Sequence, residues 1–176
     1  MKTGPRLSAK SRADVPQDSV APVRAPKSGS RSARRRAREL ALQGLYQWLI
    51  GGRNAASIEA EPLDDDGEAR SGADIAHYRE LLNGAIENAA PLRAQFAPHL
   101  DRAVEALSPV EHAVLLIGTY ELTYRLEIPY RVVINEAVEV AKSFGGTDGF
   151  RYVNGVLDKV AAQLRPTEAV RSASSS

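Results

Sequence analysis

The 176-residue sequence contains no cysteine, and this absence excludes several classes of site at once. Disulfide frameworks, thiolate-bound metals and cysteine nucleophiles all need that side chain, so the sequence cannot form them. No apolar run approaches the roughly 20 residues that span a bilayer. The basic N-terminal region also lacks the continuous apolar core of a secretory signal. We therefore expect a cytoplasmic protein without a membrane segment.

Patterns typical of enzymes and metal sites are missing as well. The three histidines are not spaced three or four residues from one another, so they predict no metal site. The glycine-rich turn at residues 144–149 is not followed by the Gly-Lys-Ser/Thr of a Walker loop. Glu136 and Glu139 share a predicted helix, but no nucleophile or metal ligand accompanies them in the sequence. We predict a protein that is not an enzyme and that binds no cofactor.

Strict alternation of apolar and polar residues, the signature of strands, does not occur over any segment of useful length. Apolar residues instead recur at helical spacing through most of the chain, which predicts an all-α fold of six or seven helices with short connections. The clearest helix start is a capping box in which Ser108 caps, Pro109 takes the first helical position and Glu111 reaches back. The helix that follows is apolar on nearly every side, so we predict that it is the central helix.

Composition divides the chain into three parts. Residues 1–30 are rich in Pro, Ser, Ala and basic residues and have no hydrophobic period, so we predict a disordered basic tail. Residues 31–166 carry the helical patterns and are predicted to form one domain. Residues 167–176 are predicted to be a second disordered tail, and the acidic residues 53–72 a solvated loop with room for a short helical turn.

Charge is distributed unevenly along the chain. Residues 1–38 carry eleven Lys and Arg against two Asp, a net charge of +9, whereas the remainder carries twelve Lys and Arg against twenty Asp and Glu, a net charge of −8. A basic N-terminal region on an otherwise acidic chain favours a local binding surface for a polyanion. It leaves acidic surface for a basic partner.

The first predicted helix begins as an arginine cluster and continues as an amphipathic helix. Its apolar stripe consists of Ala37, Leu40, Ala41, Gly44, Leu45 and Trp48. Cations at a helix N-terminus oppose the helix dipole, so several in succession are unfavourable without an anionic partner. The candidate contacts with the phosphates of RNA or DNA are Arg34, Arg35, Arg36 and Arg38. The alternative is that these arginines serve only solubility.

Two further features are candidates for the same surface. Tyr46 either packs at the rim of the core or offers a face on which single-stranded bases stack. The glycine-rich turn before the last helix has a geometry that receives anions, and it presents Asp148, Arg151 and Tyr152. We predict that these four residues extend the RNA-binding surface.

Three stretches of the chain carry a resemblance to a known family: RRRARELALQGLYQW, VEHAVLLIGTYEL and IPYRVVINEAVEVAKSFGGTDGFRYVNGVLDKVA. The last is the most specific, because INEA, AKSFG and VNGVLD stand in the order and spacing of that family. With these motifs the chain resembles the NusB family of bacterial transcription antitermination factors. The similarity covers roughly residues 31–166.

This resemblance implies a fold of two three-helix subdomains. It also implies binding to the single-stranded boxA element of ribosomal RNA leader transcripts together with NusE, a small-subunit ribosomal protein. Both would act with other Nus factors in the elongating RNA polymerase complex, in support of transcription of ribosomal RNA genes. The RNA surface of the family corresponds here to Arg34, Arg35, Arg36, Arg38, Tyr46, Asp148 and Tyr152.

A second class of function stays open. The chain also fits a helical adaptor whose main partner is a protein and whose contact with RNA is secondary. The N-terminal domain of certain rRNA cytosine methyltransferases is similar too, but we expect no methyltransferase domain because 176 residues leave no room for one. Titration with RNA in the presence and absence of NusE distinguishes an RNA-binding transcription factor from a protein adaptor.

Overall fold

The computed structural model describes residues 28–60, 72–146 and 148–174. Every regular element in these ranges is helical, so the all-α prediction is confirmed, with eight α-helices where six or seven were predicted. They are α1 (Ser28–Gly51), α2 (Ala55–Ala60), α3 (Ile75–Glu87), α4 (Ala89–Phe96), α5 (Pro109–Tyr124), α6 (Tyr130–Phe144), α7 (Gly149–Leu164) and α8 (Pro166–Ala173). Two short 3-10 turns, Ala97–His99 and Val104–Ala106, connect α4 to α5. Among the described helices, none has the length and apolarity needed to cross a bilayer.

The core is organised around α5. The Ser108 side chain accepts a hydrogen bond from the backbone N–H of Glu111, and the Glu111 carboxylate accepts one from the backbone N–H of Ser108, which confirms the capping box. All residues from 113 to 122 are buried, so α5 has no solvent-facing side over its middle three turns. It packs against α1, α3, α4, α6 and α7, as predicted for a central helix.

Two groups of helices share α5. The first contains α1, α2 and α3, and the second contains α6 and α7, with α4 packed against both α5 and α7. Close approach between helices depends on small residues at two crossings. A Cβ atom at Gly84 would overlap the ring of Tyr120, and one at Gly118 would lie 2.8 Å from Leu157. Glycine at these positions therefore lets α3 and α7 sit directly on α5.

The apolar stripes predicted from spacing form the core. Five of the six stripe residues of α1 are buried, and Trp48 is half-buried at the rim. For α7, helical spacing predicts an inner face of Phe150, Val153, Leu157, Val160, Ala161 and Leu164. Of these, Val153, Leu157, Val160 and Ala161 are buried, and Phe150 and Leu164 are partly buried against the core. These helices lie against α5 with the predicted faces inward, so the helical periodicity was interpreted correctly.

The C-terminal end of α5 is closed by a side chain from the end of α7. The last four carbonyls of an α-helix have no partner within the helix. Arg165 is 5% exposed and donates to the carbonyls of Glu121 at 3.0 Å, Leu122 at 2.9 Å and Arg125 at 3.0 Å. It also donates to the carbonyl of Ile128 at 2.6 Å, beyond the end of the helix. The carbonyls of Glu121 and Arg125 also accept from the backbone N–H groups of Arg125 and Ile128, so the guanidinium adds a second donor to these two and supplies the donor for the carbonyls of Leu122 and Ile128.

The structure corrects the predicted ends of the domain. α1 begins at Ser28, inside the predicted basic tail of residues 1–30, and residues 1–27 of that tail lie outside the described residues. α8 occupies most of the predicted disordered tail of residues 167–176. Pro166 starts this helix, because proline at a first helical position loses no hydrogen bond. Glu168 accepts from the backbone N–H of Tyr130 and from Arg165, which ties α8 to the start of α6.

The predicted acidic loop of residues 53–72 is only partly described. α2 occupies residues 55–60 of it and buries Ile58, so this part is a short helix attached to the core. Residues 61–71 lie outside the described residues.

Candidate nucleic-acid interface

The arginines at the start of α1 lie in different environments. The side chains of Arg31, Arg34 and Arg35 are 73%, 44% and 38% exposed, and Arg36 is exposed as well. Arg38 is only 4% exposed, although we predicted it as a phosphate contact together with the others. The predicted cluster is therefore divided into a solvent-facing part and one buried member.

Arg38 is a core residue, and its prediction as a direct RNA contact is corrected. Its Nε and Nη2 atoms donate to the two carboxylate oxygens of Glu121 in α5 at 3.0 and 2.8 Å. Arg38 lies three, four and seven residues before Ala41, Leu42 and Leu45, which are all buried, so helix geometry turns it inward. A guanidinium matched to a carboxylate in this way is the form in which such charges tolerate burial.

Glu121 is the carboxylate around which the buried charges gather. Its side chain is 1% exposed, and the Nε2 atom of His77 lies 3.2 Å from its Oε1 atom. Burial raises the pKa of Glu121, but His77 and Arg38 more than offset that effect, so the pKa lies below its ordinary value. Glu121 is therefore an anion inside the core, and Arg38 is its main counter-ion.

Glu136 of α6 holds the neighbouring arginines. The Nε and Nη2 atoms of Arg35 donate to its carboxylate at 2.9 and 3.0 Å. The Nε atom of Arg31 and the Nη1 atom of Arg38 lie 3.6 and 3.7 Å from it. The Glu136 side chain is 2% exposed. Burial raises the pKa of its carboxyl group, but the three arginines lower it by more, so the pKa lies below its ordinary value. Three guanidiniums thus share one carboxylate, which fixes Arg35 in position while part of its side chain faces solvent.

Sequence reasoning missed both carboxylates as anchors of the arginine cluster. Glu121 stands in the otherwise apolar run of α5, and Glu136 lies next to Ala137 on the buried face of α6. A carboxylate inside an apolar stripe needs a buried cationic partner, and this signal was present in the sequence. The identity of the partners was not, because they are more than eighty residues away along the chain.

An open groove runs between the start of α1 and the start of α6. One wall contains Arg31, Ser32, Arg34 and Arg35, and the opposite wall contains Ile128, Pro129 and Val132. Its volume is about 980 Å³, and Glu127 and Glu136 also line it. The groove combines cationic side chains with an apolar wall, an arrangement suited to a ligand that has both anionic and apolar parts.

Tyr46 lies on the same face of α1 as Arg35, eleven residues further on and therefore about 16 Å along the helix axis. Its side chain is 41% exposed, so the ring is accessible to a ligand. Glu39 lies between the two on this face. The exposed part of the ring is compatible with base stacking. The covered part is compatible with packing at the rim of the core, so both alternatives stay open.

Asp148, Arg151 and Tyr152 lie together at the start of α7. Asp148 precedes the helix without a capping hydrogen bond from its side chain, and its Oδ1 atom is 4.0 Å from Nη1 of Arg151. These two side chains are 81% and 76% exposed. The guanidinium of Arg102 lies 4.4 Å from the ring centroid of Tyr152, so one face of that ring is already covered. Burial raises the pKa of the Tyr152 hydroxyl, and a hydrogen bond with Asp101 is the next largest cause of this increase.

The structure does not bring the arginines and the α7 residues into one pocket. Arg38 contacts Glu121 near the C-terminal end of α5, whereas Asp148 and Glu111 line a smaller cavity of about 240 Å³ at its N-terminal end. Glu111 and Glu121 are ten residues apart, which is about 15 Å along a helix axis. One strand of nucleic acid has to run along the surface to reach both places. Over the described residues, no group of His, Asp and Glu side chains is arranged to hold a metal ion.

Comparison with known proteins gives a consistent result. The model of the NusB family matches residues 35–162. The chain is 58% identical over 143 residues to transcription antitermination protein NusB of Ralstonia nicotianae, covering 81% of this chain and 91% of that protein. It is 53% identical over 146 residues to the protein of the same name from Bordetella pertussis, with 81% and 94% covered.

Solved structures share the fold. T. maritima NusB superposes with a TM-score of 0.65 at 30% identity, covering 78% of this chain and 96% of that one. A crystal structure of antitermination factors NusB and NusE in complex with double-stranded RNA gives a TM-score of 0.60 at 21% identity, covering 73% and 96%. At that identity the second likeness concerns the fold alone.

Proposed function

The chain belongs to the NusB family, and from that premise we propose that it is a transcription antitermination factor for ribosomal RNA genes. The observation that carries the proposal is the 58% identity to transcription antitermination protein NusB of Ralstonia nicotianae, in an alignment that covers 91% of that protein. We propose that the chain binds the boxA element of leader RNA together with NusE, within the elongating RNA polymerase complex. This role belongs to the cytoplasm, where bacterial transcription takes place.

The exposed arginines of α1 are the primary phosphate contacts in this proposal. Arg31 and Arg34 face the groove, Arg36 is exposed beside them, and Arg35 is fixed by Glu136 with more than a third of its side chain exposed. Guanidiniums held in fixed positions bind phosphates at a lower entropic cost than side chains on a flexible tail. Arg38 supports them from the core through Glu121 and Glu136.

The residues at the N-terminal end of α5 form the second part of the RNA surface in this proposal. Arg151 and Asp148 are exposed there, and Tyr152 lies beside them, partly buried against the core with Arg102 over its ring. Tyr46 offers its exposed ring on α1. An RNA strand that contacts the arginines at one end and Arg151 at the other spans about 15 Å along α5.

The charge of the remaining chain supports NusE as the protein partner. From Glu39 onward the net charge is −8, which favours a basic ribosomal protein on a surface away from the RNA. The pairing also agrees with the structure of similar fold in which NusB and NusE occur together with RNA. RNA and NusE would then bind to separate surfaces and assist one another.

One observation favours the alternative role of a protein adaptor with secondary RNA contact. Arg38 is paired inside the core and Arg35 is paired with Glu136, so two of the four predicted arginines have strong internal partners. Fewer guanidiniums then remain for phosphates, and affinity for RNA alone would be low. In this case NusE binding would carry most of the affinity of the complex.

Fluorescence anisotropy with a labelled boxA-like RNA tests the proposal and separates it from the adaptor. For about four phosphate contacts, the slope of log K against log salt should be about −3. Saturating NusE should raise RNA affinity, and RNA should raise NusE affinity by the same factor, about 5- to 150-fold. RNA binding that is absent, or independent of salt, would contradict the arginine surface. Tight NusE binding without effect on RNA would favour the adaptor.

Matched variants make the same experiment specific. Arg34→Ala should weaken RNA binding with little change in stability, because Arg34 is exposed and its nearest carboxylate, Asp74, is 3.9 Å away. Arg79→Ala is the control, since Arg79 is a 60% exposed arginine on α3 that does not line the groove. Equal losses of RNA affinity in the two variants would indicate a general charge effect in place of a defined surface.

A further inference from the structure

The groove between α1 and α6 has an apolar wall that phosphate binding does not require. Ile128, Pro129 and Val132 form this wall directly opposite the arginines. The Val132 side chain is one of the larger apolar groups left exposed, with 39% of its surface accessible. Pro129 is exposed as well, while Ile128 is buried beneath them. An apolar side chain kept open beside several guanidiniums suggests a ligand with an apolar face.

The charge of the groove restricts the kind of ligand. Arg31 and Arg34 are the most exposed cations along its edge, and Arg35 is held beneath them by Glu136. A basic segment of protein would be repelled by this edge, and a free phosphate would leave the apolar wall exposed. A nucleotide has both required parts, because its base has apolar faces and its phosphate is an anion. Bases also stack on the flat face of arginine guanidiniums.

We propose that this groove is a nucleobase subsite, in which one unpaired base of the bound RNA packs against Pro129 and Val132 while the adjacent phosphates lie on Arg31 and Arg34. The inference rests on the proposed function, since it concerns the same RNA. A volume of about 980 Å³ accommodates a base together with its ribose. Glu136 serves as a positioning residue here, because it keeps the guanidinium of Arg35 against the inner edge of the groove.

The test combines a protein variant with changes in the RNA. Val132→Gln replaces the apolar group by a longer, neutral polar one, so the net charge and the salt dependence should stay unchanged. Val170→Gln is the matched control, because Val170 is a 69% exposed valine on α8 that does not line the groove. The RNA is a boxA-like oligonucleotide and a series in which a single nucleotide at each position in turn is abasic.

Val132→Gln should weaken binding of the intact RNA about fivefold or more, and Val170→Gln should change it less than about twofold. At one position of the RNA, the abasic substitution should weaken binding to the parent protein. The same substitution should hardly change the affinity of that RNA for the Val132→Gln variant. At all other positions the two changes should be additive. Such coupling at a single nucleotide supports the subsite, because either change alone removes the same contact.

Several results would overturn the subsite. Additive effects at every nucleotide would do so while leaving the proposed function intact, since RNA would still bind. A loss of NusE binding in Val132→Gln without a loss of RNA binding would assign the groove to the protein partner. Absence of RNA binding by the parent protein would remove both proposals together. Should Val132→Gln unfold, Val132→Ala in the same series answers the question, because it shortens the apolar wall without adding a polar group.

Discussion

The two ends of α5 use charged side chains in opposite ways. At the C-terminal end, Arg38 and Arg165 are buried, one against the Glu121 carboxylate and the other against backbone carbonyls. At the N-terminal end, Asp148 and Arg151 are 4.0 Å apart and more than three quarters exposed. Buried pairs cannot lose one member without leaving an uncompensated charge, whereas exposed pairs contribute little to stability. Arg38 and Arg165 therefore hold the fold at the C-terminal end, whereas Arg151 at the N-terminal end contributes little to stability and is available for a ligand.

The largest effect is expected when the buried end is disrupted. Arg38→Ala leaves Glu121 in the core, with His77 as its nearest remaining partner, and should lower the free energy of unfolding by about 3–5 kcal/mol. Urea denaturation measures this change. The matched control is Arg151→Ala at the opposite end, which should stay within about 0.5 kcal/mol of the parent. Similar losses in the two variants would mean that the contrast between the ends is false.

Acid titration should show an intermediate effect to which the two buried carboxylates, Glu121 and Glu136, contribute. The pKa values of Glu121 and Glu136 are lowered in the folded protein from an ordinary value of 4.5, so the unfolded chain takes up protons first as the pH falls. Their contribution to stability is complete above pH 4.5 and is lost as the pH falls through the folded pKa values. Urea midpoints measured from neutral to acidic pH should therefore decrease in this window.

Glu136→Gln provides the control for the acid titration. This variant should start from a lower stability, because Arg35 loses a charged partner, but its midpoint should depend less on pH below 4.5 than that of the parent. An unchanged pH dependence would show that Glu136 does not contribute to the acid sensitivity.

The smallest effect is expected at the exposed end, and it concerns RNA affinity only. Arg151→Ala should reduce the magnitude of the salt slope of RNA binding by about 0.7, the contribution of a single phosphate on a single strand. Stability should not change, because Arg151 is 76% exposed. An unchanged slope would remove Arg151 from the proposed surface and confine RNA to the arginines of α1.

The fold was largely predictable because it depends on local patterns. Helical spacing identified the buried stripes of α1 and α7, and the Ser108–Glu111 capping box located the start of α5 within one residue. α8 was not predicted, because the helical patterns were taken to end at residue 166. The amphipathic turn after it is short, and its attachment through Glu168 to Tyr130 involves residues 38 positions apart.

The candidate site was less predictable because exposure is a long-range property. Sequence reasoning treated Arg34 and Arg38 alike, yet one faces the groove and the other faces Glu121. The inward direction of Arg38 follows from its spacing to Ala41 and Leu45, which the charge-based argument overlooked. No local sequence pattern indicated that the guanidinium of Arg102 packs on the ring of Tyr152, because the two residues are fifty positions apart.

The guanidinium of Arg165 also sets an order of events during synthesis. Its four carbonyl partners lie between residues 121 and 128, so the end of α5 leaves the ribosome well before the side chain that completes it. At about 5–20 residues per second, this interval lasts seconds. During it, the carbonyls of Leu122 and Ile128 lack the guanidinium that pairs with them in the folded protein, so the helix end that carries Glu121 is not yet closed. The arginines of α1, although translated first, therefore reach their complete folded surroundings only after nearly the whole chain has been made.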